Sequence, residues 1–367
     1  MKIRAATRPS TIEGKHFERG SLLFVKKENR PELRSILEEL AGKYGVDVTG
    51  VNTSLASDGA DLGGDVYRLL VEPRIAILTA PPISLSNYGS IWHMIDYEFG
   101  LKLASIDVNR IGRADLTRYN VLIMPSIWGS YSMLKSVFGK GGISKLKEWI
   151  DDGGTLIAFG DASAFCADST VKISKVRLKA QMLDKLDEYK YALERELSAD
   201  KVVIDSLLIW ENAKPPKKKE KKEKKEEGKK PGAEELKRLD EFARKFYPQG
   251  VIFDCRIDTT QWLTYGLKES LPVMMYTQNA YLAKPPVRAV ARFKDEGDIR
   301  LSGLAWPEAR SRWANTAYST RESRGKGQVI LFASHPYMRS YFHGSKRMLV
   351  NAILLGPGMG ARWSVPY

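Results

Sequence analysis

Three short runs of apolar residues, each followed by a loop, constrain the fold of this chain most. They span residues 74–78, 121–125 and 155–159, and helical spacing separates them. A strand that is apolar at nearly every position must be covered on both faces, which is typical of parallel sheets. The alternation of strands and helices therefore predicts an α/β fold with a doubly wound, mostly parallel sheet.

The remaining segments are arranged around this sheet. Residues 1–70 predict a small N-terminal α+β segment, and residues 71–170 and 249–367 form the α/β domain. A strand hairpin that turns at residues 325–327 and a closing helix over 345–354 are predicted near the C-terminus. Residues 171–248 are interpreted as a helical insertion, with a long amphipathic helix over 174–197 and a second helix over 234–246.

The net charge of +14 invites a nucleic-acid interpretation, but its distribution argues against one. Residues 214–230 hold ten lysines against four glutamates, so this run carries almost half of the net charge. The run lacks interleaved aromatic residues, which single-strand nucleic-acid sites use for stacking. We interpret it as a solvated, flexible tether and expect no nucleic-acid partner.

Two cysteines, Cys166 and Cys255, are too few for a disulfide scaffold. The N-terminal residues lack the apolar core of a signal peptide, and no stretch approaches the length of a membrane span. These features predict a soluble chain without a membrane span. They are compatible with a homo-oligomer.

Ligands of open α/β sheets bind beyond the carboxyl ends of the strands. Four segments of this chain follow such ends, at residues 79–92, 125–131, 160–166 and 334–343. Packing of the loops onto the sheet is the alternative role for their aromatic residues. The predicted ligand-binding residues at this rim are Tyr88, Trp92, Trp128, Tyr131, Asp161, His335, Arg339 and His343.

Several of these segments resemble the class I glutamine amidotransferase-like fold. The resemblance rests on residues 125–130, on the glycine-flanked strand at 153–160 and on the late pair His335-Pro336. It implies an elbow between strand and helix that presents a cysteine nucleophile, a histidine that acts as its base, and an oxyanion loop at 125–130. An activated nucleophile needs such an elbow and an imidazole within hydrogen-bonding reach.

The sequence departs from that pattern at the nucleophile. The elbow reads Gly160-Asp161-Ala162-Ser163 and contains no cysteine. Cys166 lies several residues further on, where its thiol would face away from the elbow, and Ser163 would require the elbow to shift. Cys166, Ser163 and His335 are therefore weak catalytic candidates, and a buried, inert Cys166 is the alternative that we favour.

A second resemblance covers most of the chain outside the insertion. Residues 44–48, 59–63, 73–78, 265–273, 325–329 and 343–352 are similar, in this order, to the C-terminal region of bacterial zinc carboxypeptidases of the carboxypeptidase A-like superfamily. In that family an amidotransferase-like domain follows the peptidase domain. The resemblance implies a zinc carboxypeptidase catalytic domain, or a peptide, as the partner, and it suggests an exported protein.

The zinc chemistry of those peptidases does not carry over to this chain. Their zinc ligands include a His-x-x-Glu motif, and none of the four histidines here begins one. His93 and Asp96 come nearest, and we interpret them as a surface or capping pair. We therefore expect no metal site and no cofactor.

The leading hypothesis is a non-catalytic, amidotransferase-like accessory module that binds a ligand at the rim of the sheet. Two alternatives remain open. One is a cysteine or serine hydrolase or amidotransferase that uses Cys166 or Ser163 with His335. The other is a scaffold that docks a partner through the helical insertion.

Overall fold

The computed structural model describes residues 1–198, 245–340 and 342–361. The tether at 214–230 lies outside the described residues, as does the helix predicted for 234–246 up to residue 244. The helices of the described ranges are α1 (Leu33–Tyr44), α2 (Leu85–Trp92), α3 (Ser132–Asp151), α4 (Asp161–Ala167), α5 (Leu186–Ser198), α6 (Pro307–Trp313), α7 (Lys346–Leu354) and α8 (Gly356–Met359). No helix within these ranges is long and apolar enough to cross a membrane.

Five parallel strands form the centre of the main sheet. The apolar runs of the sequence become β7 (Ile75–Thr79), β9 (Val121–Met124) and β10 (Thr155–Phe159), and the order is β18-β10-β9-β7-β8. Every residue of β9 and β10 is buried, as expected for strands covered on both faces. The prediction of an α/β fold with a parallel central sheet is confirmed. The two further parallel strands are β8 (Leu103–Asp107) and β18 (Gly327–Phe332).

The direction of winding reverses beside β7. Strand β7 pairs with β8 on one side and with β9 on the other. The chain runs outward from β7 through α2 to β8, returns through residues 108–120 to β9 on the other side of β7, and continues through α3 to β10. Because such crossovers are right-handed, α2 and α3 cover opposite faces. The reversal creates a switch point between β7 and β9, where ligands commonly bind in folds of this type.

An antiparallel half extends the sheet beyond β18. Strand β17 (Ala317–Arg324) pairs with β18 as the predicted hairpin, which is confirmed. The order continues as β17-β15-β12-β13, and β11 pairs with β14, which also meets β17. These strands are β11 (Arg177–Leu178), β12 (Gln249–Ile257), β13 (Ser270–Tyr276), β14 (Tyr281–Leu282), β15 (Arg288–Phe293) and β16 (Arg300–Ser302).

The N-terminal segment contains α1 and two small antiparallel sheets, β4-β1-β6 and β3-β2-β5, in agreement with the predicted α+β segment. It contacts the main body where Gly20 lies against the Tyr265 ring and where Gly358 of α8 approaches Leu69. The domain boundaries drawn from the sequence stay a prediction. These short strands are β1 (Arg4–Ala6), β2 (Ser10–Ile12), β3 (Lys15–Phe17), β4 (Leu22–Leu23), β5 (Asp58–Gly59) and β6 (Tyr67–Leu69).

The long helix predicted over 174–197 is wrong in its first half, because α5 begins only at Leu186. Val176 and Leu178 are buried while Lys175 is exposed, which is the alternation of a strand. Strand β11 pairs there with β14. Ser174 and Lys175 also bind the buried Glu322 carboxylate, through the Ser174 Oγ and the Lys175 backbone N–H. Tertiary pairing therefore overrides the amphipathic pattern that predicted a helix here.

Candidate functional site

A sharp turn between β10 and α4 lies at the carboxyl edge of the parallel strands. Gly160 forms this turn with φ of 53° and ψ of −121°, a conformation that residues with side chains rarely adopt. Nucleophile elbows place their reactive residue on a strained turn of this kind. A Cβ atom added at Gly160 would lie 2.6 Å from Ser126 Oγ. The elbow therefore presents no side chain, and the Ser126 hydroxyl occupies the adjacent space.

The residue after the elbow, Asp161, is held by both halves of the sheet. Ser126 Oγ accepts a hydrogen bond from the Asp161 backbone N–H at 3.1 Å and donates to its carboxylate at 3.3 Å. Asn279 Nδ2 donates to the other carboxylate oxygen at 2.9 Å. Burial raises the pKa of Asp161, and these hydrogen bonds oppose that effect only in part. Tyr281 fixes the elbow itself, because its hydroxyl donates to the Gly160 carbonyl at 2.8 Å.

The loops that follow β7 and β9 are tied together across the switch point. Ile83 and Ile127 form an isolated antiparallel bridge. The Trp128 N–H donates to the Pro82 carbonyl at 2.9 Å. The Trp128 side chain is nevertheless 66% exposed. The crevice expected between β7 and β9 is thus bridged by backbone, and Trp128 projects from the bridged loops as an exposed aromatic residue.

His335 is buried beside α2, and both of its ring nitrogens are engaged. Nδ1 accepts a hydrogen bond from the Tyr337 backbone N–H at 3.1 Å, so the proton resides on Nε2. Nε2 lies 3.2 Å from the Asn87 carbonyl and 3.2 Å from Ser90 Oγ. Burial lowers the pKa of His335 to about 4, against the raising effect of the Asn87 hydrogen bond. At neutral pH the imidazole is therefore uncharged and has no ring lone pair free to accept a proton.

The two candidate nucleophiles lie inside α4, away from the turn. Cys166 is fully buried in the apolar core, and burial raises the pKa of its thiol well above the ordinary value. Ser163 is equally buried, and its Oγ donates to the Phe332 carbonyl at 2.9 Å. Neither side chain takes part in the hydrogen bonds of His335 described above.

Arg339 and His343 lie in the segment that follows β18. Arg339 is exposed, and its backbone φ of 49° is followed by φ of 59° at Ser340. Two successive left-handed residues that are not glycine store strain, of the kind that clusters at functional sites. The exposed His343 packs its ring 5.5 Å from that of Tyr337. The 3-10 turn Met338–Ser340 contacts α2, which brings Arg339 to the same side of the sheet as His335.

The other aromatic rim residues are divided between separate neighbourhoods. Trp92 ends α2 and is 40% exposed. Tyr88 is half-buried, and its hydroxyl lies 2.8 Å from Ser105 Oγ of β8. Lys135 Nζ lies 5.6 Å from the centre of the Tyr131 ring and 3.0 Å from the Asp168 carboxylate. Asp161 and His335 therefore have different hydrogen-bond partners, although the His335 ring lies 5.4 Å from the ring of Phe159, directly before the elbow.

A polar cluster that the sequence did not indicate joins the end of α2 to the segment after β18. The chain continues from α2 as a π-helical turn, His93–Glu98. The Glu98 carboxylate accepts a hydrogen bond from Tyr337 OH at 2.7 Å and pairs with Lys346. Burial acts to raise the pKa of Glu98, but these partners outweigh it and the pKa is lowered. Burial and the Glu98 hydrogen bond raise the pKa of Tyr337 to about 12.

The elbow partners Asn279 and Tyr281 were also missed by the sequence analysis. They come from the unpredicted β14 region, so no local signal could have placed them at the elbow. Ser126 follows a predicted strand and could have been found from its place in the loop. Among the described residues, no group of three or more histidine, cysteine, aspartate or glutamate side chains could hold a metal ion.

Comparisons with known proteins extend only to overall architecture. No family model matches the chain, and no curated protein matches it. A β-galactosidase from Bacillus circulans sp. alkalophilus is 13% identical, with a TM-score of 0.38, and the match covers 78% of this chain but only 31% of that longer one. A ThuA-like protein from Parabacteroides merdae ATCC 43184 is 10% identical over 81% of this chain and 94% of that chain, with a TM-score of 0.43.

A Thermoplasma acidophilum protein described as a GMP synthase subunit is 8% identical, with a TM-score of 0.42 over 77% of this chain and 94% of its own. Because the identities and TM-scores are this low, the activities named for these proteins are stated of those proteins alone. The similarity to the zinc carboxypeptidase C-terminal region rests on the sequence motifs alone.

Proposed function

We propose that this chain is a non-catalytic, amidotransferase-like module that binds a carboxylate-bearing peptide at the rim of its sheet. The observation that carries the proposal is the elbow. Gly160 occupies the strained position where an amidotransferase-like fold places its nucleophile, and Ser126 Oγ fills the space that a Cβ atom would need. An elbow of this construction offers no group that attacks a ligand.

The state of the other candidate groups supports the same proposal. A base must accept a proton, whereas the Nδ1 of His335 already accepts one hydrogen bond and its Nε2 carries the proton. A thiol reacts as its thiolate, whereas burial holds Cys166 in the protonated form. A hydrolase that uses Cys166 or Ser163 with His335 would require both α4 and the 335–337 turn to rearrange.

Arg339 is the rim residue best suited to hold a peptide carboxylate. A guanidinium group binds carboxylates through two parallel hydrogen bonds. Arg339 is exposed and lies on a strained backbone, so the fold maintains its position at an energetic cost. Following the sequence resemblance, we propose that the natural peptide belongs to a zinc carboxypeptidase catalytic domain or to a product of such an enzyme.

Isothermal titration calorimetry with N-acetyl-Gly-Ala-Leu and with its C-terminal amide tests this proposal. We expect the free acid to bind about tenfold or more tightly than the amide, because a hydrogen bond to a charged group contributes roughly 1.5–3 kcal/mol. Arg339→Ala should abolish this preference, and Arg118→Ala, which removes another exposed arginine, should retain it. Equal binding of acid and amide, failure of both to bind, or a preference that survives Arg339→Ala would contradict the proposal.

A further inference from the structure

A groove of about 560 Å³ lies on the antiparallel half of the sheet, outside the elbow and its rim residues. One wall is formed by the turns at residues 179–183, directly after β11, and the other by α6. Its volume falls within the range of small-molecule sites in proteins. The described part of the chain therefore contains a concave surface that is separate from the elbow.

Two cationic side chains meet in this groove. Lys179 Nζ donates to the Arg312 backbone carbonyl at 2.6 Å. The Arg312 guanidinium donates to the Gln278 carbonyl at 3.0 Å and lies 5.9 Å from the centre of the Phe246 ring. Within the described residues, the hydrogen-bond partners of both cations are backbone carbonyls rather than carboxylates. Each side chain therefore retains N–H groups that can donate hydrogen bonds to a bound anion.

The surroundings of the two cations are unfavourable for positive charge. Burial lowers the pKa of Lys179, and the nearby charge of Arg312 lowers it further. Burial also lowers the pKa of Arg312. Because two desolvated charges of the same sign lie close together, an anion placed against both would offset the repulsion and part of the desolvation cost.

The rest of the groove is lined by apolar groups and by two carboxylates, the exposed Glu296 and the half-buried Glu308. Leu183 is 65% exposed, and Phe246 and Pro307 line the groove with it. Glu308 lies 3.8 Å from Lys245, so its charge is partly compensated. Exposed apolar groups beside two desolvated cations fit a ligand that has an anionic head and an apolar body.

We propose that this groove binds a small organic carboxylate, with its carboxylate group on Lys179 and Arg312 and its apolar body against Leu183, Phe246 and Pro307. The proposal does not depend on the function of the elbow, because none of these side chains contacts Asp161 or Gly160 in the bonds described above. It also differs from the peptide site at Arg339, which lies after β18.

Octanoate and 1-octanol test this proposal, because they share an apolar chain and differ in charge. We expect octanoate to bind by isothermal titration calorimetry and octanol to bind about tenfold or more weakly. Lys179→Met and Arg312→Met, which keep much of the side-chain volume, should each weaken octanoate binding about tenfold or more. Lys185→Met removes an exposed lysine from the neighbouring turn and should leave the affinity within twofold.

The thermal midpoint of each variant shows whether it folds, and Arg339→Ala separates the two sites. Octanoate binding that survives Arg339→Ala but falls in Lys179→Met would support a groove site. The proposal is overturned if octanol binds as well as octanoate, if octanoate does not bind, or if folded Lys179→Met and Arg312→Met variants bind octanoate like the wild type.

Discussion

Gly160 combines two constraints that a side chain would violate. Its positive φ disfavours any residue with a Cβ atom, and Ser126 Oγ lies 2.6 Å from where that atom would be. Backbone strain of this kind costs roughly 1–3 kcal/mol, and overpacking adds a similar amount. We therefore expect Gly160→Ala to lower the free energy of unfolding by about 2–6 kcal/mol, as measured by chemical denaturation.

Two further variants separate these effects. Ser126→Gly should relieve part of the destabilisation in a double-mutant cycle, because it removes the clash and leaves the strain. Gly141→Ala is the matched control, since a Cβ atom there meets nothing within 4 Å in α3. It should be neutral or stabilising. Destabilisation by Gly160→Ala no larger than that of Gly141→Ala would contradict the packing described for the elbow.

His335 links the stability of the fold to pH. Its pKa is about 4 in the folded chain and near 6.5 when unfolded, so the unfolded state binds more protons between these values. Stability from this group is therefore complete above pH 6.5 and is lost as the pH falls towards 4, by about 3 kcal/mol in total. His335→Gln should show a shallower loss of unfolding free energy between pH 7 and pH 4.5. Equal pH slopes in the two proteins would contradict a buried, neutral imidazole.

The sequence placed Asp161 and His335 near strand ends, but it could not predict their hydrogen bonds. The partners of Asp161 come from residues 126 and 279, and the carbonyl beside His335 belongs to Asn87. These residues are distant along the chain and meet only when the sheet is assembled. Position at the rim therefore follows from local pattern, whereas protonation and reactivity follow from tertiary contacts.

At the level of elements, the continuous apolar runs and the hairpin β17-β18 were predicted well, whereas β12 and β15 were not. Strand β10 spans the predicted residues because every position is apolar or small and buried. Strands β12 and β15 were missed because Asp254, Arg256 and Arg292 interrupt their apolar pattern. Those charges are accommodated by Lys294, Asn315 and Glu196, respectively, partners that no local window contains.

Helix α5 is docked onto the antiparallel half by a bidentate ion pair. Glu196 accepts two hydrogen bonds from the nearly buried Arg292, at 2.7 and 2.8 Å. Glu196→Gln leaves that guanidinium without a charged partner. We expect the free energy of unfolding to fall by about 1–3 kcal/mol. This is less than for a fully buried pair, because Glu196 is half exposed. Chemical denaturation measures this loss.

A second ion pair on the same helix provides the control. Glu188 pairs with Lys284, and both side chains are substantially exposed. Glu188→Gln should therefore cost at most about 1 kcal/mol. If Glu188→Gln destabilises the chain as much as Glu196→Gln, then burial of Arg292 is not what anchors α5.

For the whole molecule, the parallel centre was predictable and the antiparallel half was only partly so. The parallel centre follows from the alternation of helices and apolar strands, because such strands are covered on both faces and their crossovers are right-handed. The antiparallel half returns towards the carboxyl edge of the parallel strands. There, the Met274 carbonyl of β13 accepts a hydrogen bond from the Oγ of Ser334, which follows β18. This return supplies Asn279 and Tyr281 to the elbow, so the covered state of the elbow is a property of the complete fold.

Thiol labelling of the native protein distinguishes a binding module from an enzyme most directly. With iodoacetamide at neutral pH, we expect Cys166 to stay unmodified until the chain unfolds, since it is fully buried and its pKa is raised. Cys255, equally buried, serves as the internal control, and both should be labelled in denaturant. Rapid native labelling of Cys166 alone that disappears in His335→Ala would contradict the proposed function and restore the hydrolase or amidotransferase hypothesis.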